Sequence, residues 1–290
     1  MANILAVGIA TLDIINTVET YPHEDSEVRV LTQRKTRGGN ATNSLVVLSQ
    51  LGHHCHWAGV LINEPDAQIV EDDLAHHSIT NHYCKRLDKG KIPTSYITLS
   101  QQTASRSIIH HRDCPEYNFE DFKKIDLTAF DWVHFEGRNI DETRLMLEHL
   151  TKHHPELPCS LEIEKARPGI ESLFHLPTIL LFSKNYALAR NIDNASSLLK
   201  LVGESQDITA TCTWGMQGAW AITQNHKLLH SKASELDCIV DTIGAGDTFN
   251  AGLINSLVKG ENLASALSDA CLLAGRKCQQ QGFANLVENQ

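Results

Sequence analysis

Residues 241–250, DTIGAGDTFN, place two glycines and an aspartate directly before an apolar, helical pattern. Gly244 and Gly246 can turn consecutive backbone N–H groups inward, which forms a nest for phosphate oxygens. A helix that begins near Asp247 adds its positive N-terminal end to the same place. The stretch therefore predicts an anion site beside a carboxylate, although an aspartate that simply caps the helix explains it equally well.

The rest of the chain alternates between strand-like and helix-like patterns. Apolar runs of strand length occur at 3–9, 56–62, 130–137, 159–164, 178–183, 208–214 and 218–223. Helical spacing of apolar residues occurs at 41–51, 65–77, 141–154, 194–203, 247–259 and 262–281. Because strands that alternate with helices form parallel sheets covered on both faces, we predict an α/β fold with a doubly wound, mostly parallel sheet.

Two segments, 13–37 and 83–112, interrupt this alternation. Both alternate with the two-residue period of strands, and SYITLS and RSIIHH predict a hairpin around QQTA. A small β-sheet inserted in this way would cover the edge at which doubly wound folds bind ligands. The predicted division is an α/β core (1–12, 38–82 and 113–290) and a β lid (13–37 and 83–112).

A second glycine-rich stretch, RGGNATNSLVVLSQLG (37–52), begins a predicted helix. Asn40 and Asn43 lie three residues apart, on one face of its first turn. With the backbone exposed by Gly38 and Gly39, these carboxamides would suit a ligand with many hydroxyl groups. A helix cap at Asn40 and a plain glycine turn are the alternative.

Asp13 follows the first predicted strand, in AVGIATLDII. The carboxyl end of a strand in an α/β sheet faces the ligand crevice, so a carboxylate here could accept two neighbouring hydroxyl groups. A turn-forming aspartate is again the alternative.

Composition narrows the class of protein. The 290 residues carry a formal charge of −10 without a basic block, which argues against nucleic acid as a partner. No apolar run approaches the roughly 18 residues of a membrane span, and the N-terminus lacks the pattern of a secretion signal. The eight cysteines form no Cys-x-x-Cys pair, which predicts reduced thiols and a cytoplasmic protein. The sixteen histidines include no His-Glu-x-x-His, so we expect solvated or edge histidines rather than a metal site.

Taken in order, Asp13, GGNATN and the late DTIGAGDTFNAG resemble the ribokinase-like (PfkB-type) sugar kinases over essentially the whole chain. Other stretches, including YPHEDSEVR, FDWVHFEGRN, LEIEK and GRKCQQQGF, are similar to the branch that phosphorylates ketohexoses, fructose at O1, with ATP. The resemblance implies an α/β sandwich with a small β lid, and a homodimer that pairs lid to lid.

The resemblance also implies roles for individual residues. Asp247 would be the catalytic base that accepts the proton of the sugar hydroxyl, beside an anion hole of Gly244, Ala245 and Gly246. The sugar would be bound by Asp13, Gly39, Asn40, Asn43 and Asp247, and the nucleotide by Arg106, Gly215, Met216, Gln217 and Gly218. Asp25 could reach into the partner subunit's sugar site.

The implied cofactors are ATP and Mg²⁺, with K⁺ held by backbone carbonyls around DTIGAG. Many family members carry Asn-x-x-Glu to organise water bound to magnesium, but FSKNYALA (182–189) has Ser183 and Tyr186 at those positions. The ketohexose branch lacks the motif as well, so the residues that organise the metal stay undefined.

Other functions remain open at this point. The substrate could be another sugar, a 2-keto-sugar acid or a nucleoside, and a catalytically silent sugar-binding regulator could use the same fold. A dinucleotide-dependent dehydrogenase is excluded, because GIATLD after the first strand lacks Gly-x-Gly-x-x-Gly.

Overall fold

The computed structural model describes residues 1–103, 105–205 and 207–287. The strands are β1 (Asn3–Val7), β2 (Thr11–Val18), β3 (Thr32–Gly38), β4 (His54–Ala58), β5 (Val60–Ile62), β6 (Ile79–Thr80), β7 (Lys85–Leu87), β8 (Lys91–Ser100), β9 (Arg106–Asp113), β10 (Trp132–Glu136), β11 (Cys159–Ile163), β12 (Ile179–Phe182), β13 (Ala210–Thr213), β14 (Ala219–Ile222) and β15 (Leu228–Ser231). The helices are α1 (Asn40–Gln50), α2 (Pro65–His76), α3 (Phe119–Phe122), α4 (Ile140–His153), α5 (Lys184–Ala189), α6 (Ala195–Ser205), α7 (Ala245–Val258) and α8 (Leu263–Cys278).

The large sheet has the strand order β15-β14-β13-β12-β11-β10-β1-β4-β6. All neighbours from β6 to β13 are parallel, and β14 and β15 add an antiparallel edge. Strands that are covered on both faces have continuous apolar sequences, such as ILLF in β12. The predicted doubly wound, mostly parallel sheet is confirmed. The short edge strands β6 and β15 were not predicted, because neither has a long apolar run.

Helices cover both faces of this sheet. Ile4 and Ala6 pack with α1, α2, α7 and α8, whereas Leu5 and Val7 pack on the other face with α4, α5 and α6. This separation follows from the two-residue period of a strand, which sends neighbouring side chains to opposite faces.

Helices α7 and α8 pack closely against each other. A Cβ on Gly252 of α7 would lie 3.0 Å from the Ala270 Cα of α8, so the small residues allow the approach. On α8, Ala266 and Ala270 are buried and Ala274 is partly buried. No helix among the described residues is long and apolar enough to cross a membrane.

A separate four-stranded sheet, which we call the lid, has the order β3-β2-β8-β9. Its strands come mainly from the two segments that break the helix-strand alternation, and β8 and β9 form the predicted antiparallel hairpin. The predicted lid segment 83–112 also contains β7, which instead pairs with β5 in a separate two-stranded sheet. Ala104, within the QQTA turn, lies outside the described residues. Strand β2 pairs with β3 antiparallel and with β8 in parallel.

Two histidines contradict the expectation of solvated or edge positions. His134 is fully buried in β10, where its Nδ1 lies 2.8 Å from Ser160 Oγ, and burial lowers its pKa to about 4. His53 is also buried, and its Nε2 lies 3.1 Å from Asn255 Oδ1. Both rings are partners in buried hydrogen bonds, which the sequence pattern cannot reveal.

Candidate active site

Asp247 lies in the first turn of α7. The helix begins at Ala245, with Gly244 as its N-cap residue at φ 78°. Asp247 is therefore the third residue of the helix, and the interpretation in which it caps the helix is wrong. Its exposed fraction is 7%, so the protein shields the carboxylate from solvent.

The start of α7 presents backbone N–H groups to the site. Thr248 N donates to Gly244 O at 2.9 Å and forms the first bond of the helix, so the N–H groups before it lack helical partners. Of the three residues predicted to form the anion hole, Ala245 uses its N–H to bond Thr242 O at 3.3 Å. A Cβ on Gly246 would meet no atom within 4 Å, so there is open space beside this residue. This geometry suits an anion.

Asn43 of α1 contacts the Asp247 carboxylate directly. Its Nδ2 donates to Asp247 Oδ2 at 2.7 Å, and Ser44 Oγ donates to the Asp247 carbonyl at 3.2 Å. The other end of the same amide is also engaged, because Arg37 Nη1 donates to Asn43 Oδ1 at 2.7 Å. Asn43 thus holds the predicted base, a contact that its assignment to the sugar did not include. Arg37 was missed, since nothing in the sequence distinguishes it from a surface arginine of the lid.

Asn40 points to a second buried carboxylate, Glu162 of β11. Asn40 Nδ2 and Asn250 Nδ2 both donate to Glu162 Oε1 at 3.2 Å. The other oxygen, Glu162 Oε2, is buried and has no hydrogen-bond partner among the described residues. Burial, and then the charge of Asp247, raise the pKa of Glu162 well above its usual value. Glu162 was also missed, although an acid inside the apolar strand LEIE could have identified it.

Asp13 lies on β2 of the lid, against the glycine pair. Thr11 Oγ1 donates to Asp13 Oδ1 at 2.8 Å, and burial raises the pKa of the carboxyl. A Cβ on Gly38 would lie 2.1 Å from Asp13 Oδ2, and one on Gly39, at φ 105°, would lie 2.2 Å from Ile9 O. Close approach therefore requires glycine at both positions.

A cleft of about 290 Å³ lies between the lid and the loop before α7. One part of its lining consists of Asp13, Gly38 and Asn43, and another of Ile243 from the loop before α7 and Gly282 from the segment after α8. Its volume is near the lower end of the range for small-molecule sites. Asp13 of the lid and the loop before α7 therefore line the same cleft.

The surroundings of Asp247 tune it as a proton acceptor. Burial raises its pKa to about 7, and the charges of Glu164 and Glu136 act in the same direction. The hydrogen bond from Asn43 and the charge of Arg37 oppose this rise. Since a general base is most effective when its pKa lies near the working pH, this carboxylate is suited to accept a proton at neutral pH.

Arg106 begins β9 and extends from the lid toward the loop before α7. Its Nη1 donates to Thr242 Oγ1 at 3.3 Å, which places the guanidinium beside the glycine-rich loop. The 215–218 stretch is a surface turn between β13 and β14, in which Met216 is 85% exposed. Gly218, at φ 89°, is needed there because a Cβ would lie 2.0 Å from Ser231 O.

Lys277 is a third residue that sequence reasoning missed. It is fully buried on α8, where its Nζ donates to Asp241 O at 3.0 Å and lies 3.1 Å from Asp241 Oδ2. Asp241 Oδ1 in turn accepts a bond from Ile243 N at 2.9 Å. This buried ion pair fixes the loop that leads into α7.

Comparison with known proteins agrees with this geometry. The family model described as pfkB family carbohydrate kinase matches residues 1–290. The chain is 38% identical to a ketohexokinase from Mus musculus, over 98% of each chain. It is 26% identical to a nucleoside kinase from Methanocaldococcus jannaschii, over 91% of this chain and 86% of the relative.

The fold also matches solved structures. A ribokinase from Giardia lamblia is similar with a TM-score of 0.86 at 14% identity, over 97% of this chain and 96% of that one. At this identity the likeness shows the fold alone. The family match over the whole chain and the relative at 38% identity show the family as well as the fold. The chain belongs to the pfkB family of carbohydrate kinases, which are phosphotransferases with a hydroxyl acceptor.

Proposed function

We propose that the protein transfers the γ-phosphoryl group of ATP to a ketohexose hydroxyl, namely O1 of fructose. The observation that carries this proposal is the buried Asp247 carboxylate, held by Asn43 at 2.7 Å beside the free amides of α7. The similarity to the mouse ketohexokinase, 38% over 98% of each chain, supports a ketohexose as the acceptor.

In the proposed reaction the sugar hydroxyl gives its proton to Asp247 as its oxygen attacks the γ-phosphorus. The bond between the γ-phosphorus and the β–γ bridging oxygen breaks, and ADP leaves. Asn43 holds Oδ2 of the base, so Oδ1 is the oxygen that can accept the proton. The α7 amides at Gly246 and Asp247 would stabilise the charge on the transferred group, because phosphoryl transfer depends mainly on positioning and electrostatic stabilisation.

The remaining predicted residues take supporting roles in this proposal. Asp13 would accept hydrogen bonds from two sugar hydroxyls, with Gly39, Asn40 and Asn43 forming the adjacent wall. Arg106 would bind the nucleotide phosphates from the lid side, and the surface turn Gly215–Gly218 would lie under the nucleotide.

Mg²⁺ would enter with ATP. Among the described residues no group of three His, Cys, Asp or Glu side chains forms a metal site, so the phosphates would supply most ligands. Glu162 Oε2, buried and without a described partner, fits a carboxylate that accepts a hydrogen bond from a water on the metal. When bound, Mg²⁺ neutralises charge on the transferred phosphate.

K⁺ activation is implied by the family resemblance and fits Asp241 poorly. The Asp241 carbonyl already accepts a bond from Lys277 Nζ at 3.0 Å, and its carboxylate accepts bonds from Ile243 N and Gly282 N. Other carbonyl oxygens of the loop would have to hold the ion. Replacing KCl by choline chloride at constant ionic strength tests this: turnover should fall if K⁺ activates, and equal turnover contradicts it.

We also propose a cytoplasmic homodimer that pairs through the lid, with the core (1–12, 38–82 and 113–290) holding both substrates. Large apolar side chains are exposed in lid segments: Val28, Val30, Leu31, Tyr96, Ile108 and Ile109. Covering them would remove apolar surface from water. Asp25 lies in the same exposed region and could complete a partner's site. Sedimentation of the wild type and of Ile109→Lys, expected to be dimer and monomer, tests this pairing.

A substrate panel tests the proposed function. Ketoses, aldoses, 2-keto-sugar acids and nucleosides are each incubated with Mg-ATP, and ADP release and the phosphorylated product are measured. Fructose should give the highest kcat/KM and the 1-phosphate. Preference for a nucleoside would favour the second candidate function, which the similarity to the archaeal nucleoside kinase at 26% identity supports. Sugar binding without ADP release would indicate a silent regulator.

A further inference from the structure

We propose that Arg37 is a positioning residue: it fixes the orientation of the Asn43 amide, which in turn holds the Asp247 carboxylate. The proposal rests on the proposed function, in which Asp247 is the base. Arg37 itself contacts neither the base nor, in this proposal, the substrate.

The side chain of Arg37, near the end of β3, lies in a buried hydrogen-bond cluster. Its exposed fraction is 4%. Its Nη1 donates to Asn43 Oδ1 at 2.7 Å and to Thr42 Oγ1 at 3.0 Å. Thr42 Oγ1 in turn donates to Gly38 O at 2.9 Å. These hydrogen bonds therefore fix the orientation of the planar guanidinium relative to the Asn43 side chain.

The two ends of the Asn43 amide differ in chemistry, and Arg37 helps to fix which end faces which neighbour. An arginine has no acceptor atoms, so it must meet the amide oxygen. The amide nitrogen is then directed to Asp247 Oδ2, as the 2.7 Å contact shows. A flipped amide would place its oxygen against the carboxylate and its NH₂ group against the guanidinium. Both contacts would be repulsive, so Arg37 and Asp247 together select a single orientation, and Arg37 reinforces it.

Arg37 also supplies positive charge in a region rich in acids. Asp247 is surrounded by carboxylates and one guanidinium from four neighbouring segments: Glu136 (β10), Glu162 (β11), Glu164 (after β11) and Arg37 (β3). The acids favour the protonated form of Asp247, and Arg37 favours the ionised form that accepts a proton. Losing Arg37 should therefore both loosen the base and raise its pKa.

Arg37 could instead simply connect the lid to the core, because it forms an ion pair with Asp73 of α2 at 2.5 Å. The chain contains a matched ion pair that has this structural role alone. Lys35 of the same strand lies 3.6 Å from Asp66 of the same helix, with 45% of its side chain exposed. Lys35→Met thus removes a β3–α2 ion pair and one positive charge without touching Asn43.

The decisive experiment compares Arg37→Met, Arg37→Lys and Lys35→Met with the wild type in two readouts. The first is a ¹³C NMR titration of the Asp247 carboxyl without substrates, which does not depend on turnover. The second is the pH profile of kcat/KM together with kcat and the sugar KM.

We expect Arg37→Met to move the Asp247 titration and the acid limb of kcat/KM to higher pH, and to lower kcat by about 10- to 100-fold with a smaller change in KM. Arg37→Lys should restore part of the pH shift but less of kcat, since a point charge lacks the guanidinium geometry. Lys35→Met should leave both readouts unchanged. If Arg37→Met shows the same Asp247 titration and the same kcat as the wild type, whatever its melting temperature, the proposal is overturned.

If Arg37→Met does not fold, Asp73→Asn provides the test, because it removes the anionic partner of Arg37 Nε while keeping the positive charge of Arg37. We then expect a smaller kcat loss without an upward pH shift, and unchanged kcat would count against positioning. Failure of the proposed function is distinguishable: wild type would show no sugar phosphorylation, while the Asp247 titration would still respond to Arg37→Met.

Discussion

Asn43 Nδ2 donates to Asp247 Oδ2 at 2.7 Å and joins two residues 204 positions apart in the chain. The bond connects the first turns of α1 and α7, the two helices that follow the glycine-rich stretches. It engages one carboxylate oxygen, Oδ2, and in the proposed reaction the other oxygen accepts the substrate proton. Each glycine-rich stretch thus supplies one of the two bonded residues of the candidate site.

Asp247→Asn should abolish most of the turnover. An asparagine keeps the shape and can still bond Asn43 but cannot accept the proton, so kcat should fall about 10²- to 10⁴-fold. Coupled ADP release measures the loss, and calorimetry should show that fructose still binds. Asp141→Asn is the control, because Asp141 also lies in the first turn of a helix but is 89% exposed on α4. Equal turnover in Asp247→Asn would remove it from its role.

The pKa of about 7 at Asp247 predicts a pH dependence of activity and of stability. Because the ionised form is the base, kcat/KM should rise with pH and reach half its plateau near pH 7. The effect on stability has the opposite sign, because the folded state binds this proton more tightly than the unfolded state. The contribution of the bound proton to the free energy of unfolding is therefore fully present below about pH 4 and is lost as pH rises through 7.

The matching measurement is urea unfolding of wild type and Asp247→Asn at pH 5 and pH 8. The variant should gain stability relative to wild type at the higher pH, where the buried charge is removed. A difference that is independent of pH would show that Asp247 titrates normally in the folded protein.

Two glycines of the α7 loop should respond differently to alanine. Gly244→Ala should lower stability by several kcal/mol, because φ is 78° and the Cβ would lie 2.2 Å from Phe283 Cζ. Gly246→Ala meets no atom within 4 Å and should fold normally, yet its methyl group would occupy space beside the free amides. We expect near wild-type melting with a higher KM for ATP and lower kcat. If Gly246→Ala matches wild type in both constants, the anion lies elsewhere.

Arg106→Ala should weaken ATP binding about 10-fold and lower turnover while fructose affinity stays unchanged. The reason is the loss of a charged group that contacts Thr242 at 3.3 Å, next to the loop proposed to hold the phosphates. Titration calorimetry with a non-hydrolysable ATP analogue measures the effect. Arg144→Ala, which removes a partly exposed arginine on α4, controls for the change in net charge. Unchanged nucleotide affinity would show that Arg106 serves another purpose.

Lys277→Met should destabilise the protein by about 3–5 kcal/mol, because it leaves the largely buried Asp241 carboxylate without its cation. Turnover should also fall, since the loop that leads into α7 loses its anchor. Urea unfolding and ADP release measure the two effects. Arg276→Met changes the adjacent, exposed residue of α8 and should leave both near wild type. A fully stable Lys277→Met would mean that the ion pair contributes no net stability.

Much of the fold could be predicted, because strand and helix periods are local properties. The predicted runs 159–164 and 178–183 correspond to Cys159–Ile163 and Ile179–Phe182. The start of α7 was less predictable: the left-handed conformation of Gly244 begins the helix two residues before Asp247. An aspartate at the third position and one at the cap give nearly the same sequence pattern.

Arg37 and Lys277 could not be predicted, because their importance comes from burial and charged residues are usually exposed. Glu162 carries one local signal, its place inside the apolar strand LEIE, but its partners are set by packing. Glu162 adjoins Glu136 through the register of β10 and β11, and Lys277 meets Asp241 across 36 residues of chain. Such partners arise from packing between elements.

By itself, the sequence determined the α/β architecture, the lid segments and the two glycine-rich turns, since periodicity and glycine placement act over a few residues. Tertiary structure alone decided which amide faces Asp247, which cation balances the acids around it, and that its pKa lies at about 7. The physical reason is that electrostatic free energy depends on distance and desolvation, and both are fixed only when β3, β11, α1 and α7 pack together.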